Sequence, residues 1–160
     1  MSSGKYFGQP SVMDPQRKAY LIEAAAEAQP YPPEAALAKA WLQANLDQYE
    51  DLDWQKHVGI GVQLGGDYDV SIQKMAANAT RRRVDLVAYR DGTATLIELK
   101  DHVDWAAVRQ ALDYDDLWKT APQDPPVSAV LVVGRTGDAD IMATAAAKGV
   151  TVELLPQVQV

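Results

Sequence analysis

No cysteine occurs in these 160 residues. That removes both a disulfide framework and any thiolate metal site, so a bound metal has to be held by oxygen or by histidine. No apolar run approaches the ~18 residues of a membrane span, and the N-terminus lacks an apolar signal core. The expectation is a soluble, unsecreted, cytoplasmic protein with no membrane partner. Net positive charge is missing too. At −7 the chain does not suit a general nucleic-acid coat. What is present, 48% hydrophobic residues over this length, suffices for one domain with a real core.

The charge is unevenly spread. Between Gln73 and Lys100 stand six basic residues (Lys74, Arg81, Arg82, Arg83, Arg90, Lys100) against three acids, leaving nine basic against nineteen acidic residues elsewhere. Within that basic stretch, residues 84–90 and 93–100 are rich in β-branched and aromatic side chains and flank Asp91-Gly92. Asp-Gly between two such runs predicts a hairpin, because a type I′ turn needs φ > 0 at both central positions. A two-residue loop also sets the register. If Arg90 pairs with Thr93, Asp85 faces Glu98, and alternation puts Asp85, Glu98 and Lys100 on one side. Like charges directly opposed on neighbouring strands destabilise a sheet, so a divalent metal is the simplest neutraliser. A solvated face carrying acids and lysines is the alternative. Against it, Val87, Tyr89, Ala94 and Leu96 continue the same face while Val84, Leu86, Ala88, Ile97 and Leu99 cover the other, so the charges end an apolar stripe.

Around the hairpin the chain divides readily. Residues 1–30 read as an N-terminal arm plus a short helix from Pro15 to about Ala28, with Asp14 as N-cap. The proline-rich segment 29–33 ends it, and residues 31–160 read as the main domain. A second helix spans about 34–46, its apolar face formed by Leu37, Ala38, Trp41 and Ala44, with Glu34 one turn earlier on that face. Residues 54–64 alternate as a strand carrying His57, and Gly59-Ile60-Gly61 lacks the spacing of a dinucleotide fingerprint. Residues 70–82 are either a strand end or a mobile, substrate-facing loop. After the hairpin, Asp104 caps a helix to about Lys119, with Trp105, Val108 and Leu112 inward and Gln110 and Tyr114 sharing a face at i, i+4. Proline-rich 122–126 interrupts the chain before an apolar strand at 127–133. A helix at 137–148, ended by Gly149, and a last strand at 150–155 follow. A strand, helix and further strand after an antiparallel hairpin imply an α/β fold with a mixed sheet flanked by helices.

The sequence Val84-Asp85, then Glu98-Leu99-Lys100, then Gln110 to Tyr114 resembles the PD-(D/E)XK nuclease superfamily. Within it, the likeness is to RecB-type and NucS-type members carrying a QxxxY element, over roughly residues 31–135. Val84 stands where the name-giving proline would. The resemblance implies a restriction-endonuclease-like αβββαβ core and Mg²⁺-dependent hydrolysis of DNA phosphodiesters, with Mn²⁺ able to substitute. It implies a metal held by Asp85, Glu98 and the Leu99 carbonyl, with Lys100 orienting the attacking water. Gln110 and Tyr114 would hold substrate or carboxylates, and Glu34 would be the first-helix acid, with Glu23 and Glu50 as competitors. Lys74, Arg81, Arg82 and Arg83 would contact DNA phosphates, and His102 is a candidate support for the site. A second class of reading stays open: a structural or assembly protein, such as a virion head or neck component of a phage, or a silent DNA-binding module. Residues 1–30 would then mediate a homo-oligomer or larger assembly.

Overall fold

The structure, a computed structural model, describes residues 13–120 and 124–159. The N-terminal arm expected over residues 1–11 and the first two residues of the proline-rich stretch 122–126 lie outside the described residues.

Asp14 starts helix α1 (Pro15–Glu27) by accepting from the Arg17 amide, with Pro15 preset for the first turn. Pro30 then breaks the chain before helix α2 (Pro32–Asn45). Strand β1 (Asp51–Val58) begins three residues earlier than its alternation suggests, and it stops six residues sooner. Gly59 and Gly61 adopt φ +77° and +71°, which turns the chain out of the sheet. Residues 70–82 are neither strand nor loop. They form helix α3 (Val70–Thr80), because Asp69 caps the amides of Ser71 and Ile72 ahead of an alanine-rich run. None of its residues is buried, and Val70, Ile72 and Met75 face solvent.

Strands β2 (Arg82–Arg90) and β3 (Thr93–Leu99) make the hairpin, with Asp91 and Gly92 at φ +50° and +73° as the turn requires. Arg90 pairs with Thr93 and Leu86 with Ile97, the register expected from the two-residue loop. A short strand β4 (His102–Val103) precedes helix α4 (Trp105–Trp118), capped by Asp104 on the Ala107 amide. Strand β5 (Val127–Gly134), short strand β6 (Thr136–Gly137), helix α5 (Ala139–Ala147) and strand β7 (Val150–Leu154) complete the chain.

The main sheet runs β1-β2-β3-β5-β7, antiparallel over the first three strands and parallel over the last three. It is an α/β fold with a mixed central sheet flanked by helices. The β4–β6 pair, a separate parallel ribbon, had no signal in the sequence. Helices α1 and α2 cover one face through Leu21, Ile22, Leu37, Trp41 and Leu42 against Leu86, Ile97, Leu99, Leu131 and Val133. Helix α1 therefore belongs to the same core as the rest, and residue 30 marks no break in the packing. On the other face, Tyr114 and Trp118 of α4 pack with Val87, Tyr89, Ala94 and Leu96. The expectation that Trp105 points inward is corrected. It stands 48% exposed, and Ala107, Val108 and Ala111 take the buried positions.

Candidate functional site

Asp85 and Glu98 sit near the end of the hairpin remote from its turn. Strict alternation fails on β2 there: Val84, expected on the face of Leu86, packs instead with Val87, Tyr89 and Tyr114 on the α4 face. Asp85 is held from several sides. Its Oδ2 accepts from the Leu99 amide at 2.8 Å, which ties one arm of the hairpin to the other. Its Oδ1 lies 3.4 Å from the Gln55 Nε2. Gln55 Nε2 also donates to Gln29 Oε1 at 3.0 Å, and Gln29 Nε2 donates to the Ala25 carbonyl at 3.2 Å. Gln29, in the connection between α1 and α2, thus reaches the site.

Gln55 earns its place through its backbone. It adopts φ +50° on β1, and the ladder pairs Trp54 with Leu86 and Lys56 with Val84 around it, leaving Gln55 across from Asp85. A non-glycine residue in the left-handed region costs on the order of 1 kcal/mol. Neither glutamine was singled out from sequence. A polar residue inside β1 is the one local signal, and nothing local marks Gln29, which is buried.

Glu98 is 6% exposed, and its Oε2 is buried without a hydrogen-bond partner. Burial pushes its pKa well above the carboxylate range, the Asp85 charge adds to the rise, and hydrogen bonding by Tyr114 offsets part of it. Tyr114, also buried, is raised by burial and by the charge of Glu98, and its hydroxyl accepts from Gln110 Nε2 at 2.6 Å. Gln110, Tyr114 and Glu98 thus form one chain of contacts from α4 into the hairpin.

Glu34, in the first turn of α2, joins from the helix layer on the opposite face. Burial raises its pKa, Asp85 raises it further and Lys100 draws it back, so these groups share one electrostatic neighbourhood. Its two competitors lie elsewhere. Glu23 pairs with Lys39 at 2.9 Å, and Glu50 accepts from the Asp91 amide at the turn end of the hairpin. Lys100 follows β3 half-buried, where its amide donates to the Val133 carbonyl. Gly134 makes room for this, since a Cβ there would come within 2.4 Å of the Lys100 carbonyl oxygen.

The other candidates are more dispersed. Arg81 spends its guanidinium on the carbonyls of Gly59 and His57, fastening the start of β2 to the end of β1. Arg83 donates to His57 Nε2 at 3.0 Å, and both Arg82 and Arg83 are exposed. Lys74 lies exposed on α3. His102 faces Thr136 at 2.7 Å in the β4–β6 ribbon, and Asp101 beside it is taken by Arg135. No group of three or more His, Asp or Glu side chains capable of holding a metal ion occurs among the described residues. A magnesium site does not demand one, because this ion keeps several waters and takes one or two carboxylates plus substrate oxygens. The donors on hand, two opposed carboxyls with one orphaned buried oxygen, fit a hard cation of that kind.

No model of a known protein family matches the chain, and no curated protein matches it. Among solved structures, the crystal structure of AF1548, a protein of unknown function, superposes with a TM-score of 0.48 at 13% identity. The match covers 82% of this chain and 56% of that one, so the chain spans little more than half of AF1548. No helix among the described residues is long and apolar enough to cross a membrane.

Proposed function

We propose that the chain is a divalent-cation-dependent nuclease of the PD-(D/E)XK type, hydrolysing DNA phosphodiesters at the Asp85, Glu98, Lys100 cluster. The observation that carries this reading is the buried, unpartnered oxygen of Glu98 beside the Asp85 carboxyl. An unsatisfied buried acceptor costs roughly 1–3 kcal/mol, more when charged, and two carboxyls in one neighbourhood add to that. A fold bears such a cost most readily where a ligand relieves it.

Asp85 and Glu98, with the Leu99 carbonyl, would hold the cation. When bound, Mg²⁺ or Mn²⁺ supplies Lewis-acid charge and lowers the pKa of a coordinated water. The Leu99 amide and the Gln55 side chain fix the Asp85 carboxyl before anything binds. The Gln110–Tyr114 pair restricts Glu98 in the same way. Lys100 places an ammonium where negative charge grows on the phosphoryl oxygens and directs the attacking water. Glu34, with its raised pKa, is suited to exchanging a proton with that water or with the leaving oxygen. The order α2, β1, β2, β3, α4, β5 is compatible with the αβββαβ arrangement of the superfamily once α3, between the first two strands, and the short β4, before α4, are set aside as insertions.

Cleavage of supercoiled plasmid and of labelled single strands, with Mg²⁺, Mn²⁺ or chelator, tests the reading. Wild type should cut only with metal, and Glu98→Gln and Lys100→Ala should each lose at least about a hundredfold. Metal-independent cutting, or full activity in both variants, would refute it. No cutting at all, together with copurifying protein partners, would favour an assembly role for the fold.

A further inference from the structure

Helix α4 carries a second feature one side chain away from Glu98. A hollow of about 410 Å³ opens beside its N-terminal half, lined by Arg82, Trp105, Arg109, Gln110 and Asp113. Trp105, Arg109 and Asp113 recur every four residues, so they form one stripe about 12 Å long at 1.5 Å per residue. Arg82, at the start of β2, faces that stripe across the hollow. Gln110 is both a wall of the hollow and the donor to the Tyr114 hydroxyl.

The composition of this wall is specific. An indole on the first turn of a helix would normally turn into the core, and alternatives at the buried positions are at hand. Here the first turns of the helix instead bury Ala107 and Val108 and leave Trp105 48% exposed, sharing the hollow with two exposed guanidinium groups. A flat aromatic surface beside two cations matches an unpaired nucleotide. Every base has a π-face that stacks on an indole, and arginines flanking the base reach phosphate oxygens on either side. The volume lies within the range of about 300–1,000 Å³ typical of small-molecule sites. A duplex offers no such face, because its bases are stacked on one another and have to be extruded first. Asp113 repels phosphate, which confines the strand's backbone to the Arg82 and Arg109 side.

We propose that the hollow lined by Arg82, Trp105 and Arg109 is a nucleotide subsite. It stacks one unpaired base on Trp105 and so directs single-stranded DNA, or a single-stranded end, toward the Asp85–Glu98 pair. The nuclease reading supplies the purpose of this subsite, while binding at it stands on the hollow alone.

The test is equilibrium binding in chelator, by fluorescence anisotropy, of a short labelled single strand and of a hairpin duplex of the same sequence. Wild type should bind the single strand more tightly than the duplex. Trp105→Ala should weaken single-strand binding by about tenfold to a hundredfold, and Trp105→Tyr should restore most of it. Arg109→Ala should weaken binding and flatten its salt dependence. The side chains changed are exposed, and matching melting curves would exclude unfolding as the cause. Equal affinity for strand and duplex, no binding by wild type, or a Trp105→Ala variant that binds like wild type would each overturn the subsite. A failure of the nuclease reading leaves a different trace: binding that depends on Trp105, with no metal-dependent cleavage by wild type.

Discussion

Replacing Glu98 by glutamine should stabilise this protein in the absence of metal, and do so more as pH rises. The folded state keeps the Glu98 carboxyl protonated far above its ordinary value of 4.5, because burial and the Asp85 charge disfavour the anion. The unfolded chain releases that proton near the ordinary value. Between the two, the folded state binds more protons than the unfolded state, so stability falls as pH increases. At pH 7 the interval is two and a half pH units, and at about 1.4 kcal/mol per unit the cost reaches at most about 3.5 kcal/mol. At pH 5 it is below about 1 kcal/mol by the same reckoning. Glutamine has nearly the same shape, carries no charge to lose, and can donate to Asp85. For a chain of this size, about 3 kcal/mol corresponds to a rise in melting temperature of roughly 6–12 °C. Thermal melts followed by circular dichroism in chelator at pH 5, 6, 7 and 8 should show the gap between variant and wild type widening with pH. Adding Mg²⁺ at pH 7–8 should then raise the wild-type midpoint by releasing the Glu98 proton, and leave Glu98→Gln nearly unmoved. A gap that is flat across pH, or a variant less stable than wild type at pH 8, would refute the argument that Glu98 is held against its charge.

Two further substitutions probe how the site is held. Gln55→Ala and Gln55→Gly both lose the amide that touches Asp85, but only glycine accepts φ +50° without strain. Chemical denaturation should therefore find the glycine variant more stable by about 1 kcal/mol, and the reverse order would mean that the residue is relaxed there. Gly134→Ala should destabilise by about 1–3 kcal/mol and depress any cleavage activity, since its methyl group would overlap the Lys100 carbonyl and the Val103 side chain. A variant as stable and as active as wild type would show that the approach of β5 to residue 100 is looser than described.

Some of this was legible along the chain because the relevant forces act locally. The Asp91-Gly92 turn dictates its own φ values, and the turn dictates the register from Arg90–Thr93 to Leu86–Ile97. Asp85 and Glu98 lie just beyond the last paired residues and still share one electrostatic neighbourhood. The cap residues Asp14 and Asp104 marked helix starts for the same reason, each being a side chain bonding to an amide three residues on. The pairing of Gln110 with Tyr114 follows from helical pitch. Where local preferences compete, the sequence was ambiguous. Residues 70–82 read as a strand end or a loop, and the Asp69 cap ahead of an alanine-rich run makes most of them helix α3 instead.

What the linear order could not supply is anything set by long-range packing. Choosing Glu34 over Glu23 and Glu50 required knowing where the first turn of α2 ends up relative to the hairpin. The approach of Gln29 to Gln55, and of Gln55 to Asp85, joins residues 26 and 30 apart in sequence. The outward turn of Trp105 follows from α4 meeting the rest of the fold through Ala107, Val108, Ala111, Tyr114 and Trp118, a face that leaves Trp105 outside. Sequence alone determined the hairpin, its register and the charges it opposes, since each follows from bonds within a few residues. Tertiary structure alone decided which distant side chains complete that cluster and which arginines stay exposed, since burial and charge proximity exist only once the layers have closed.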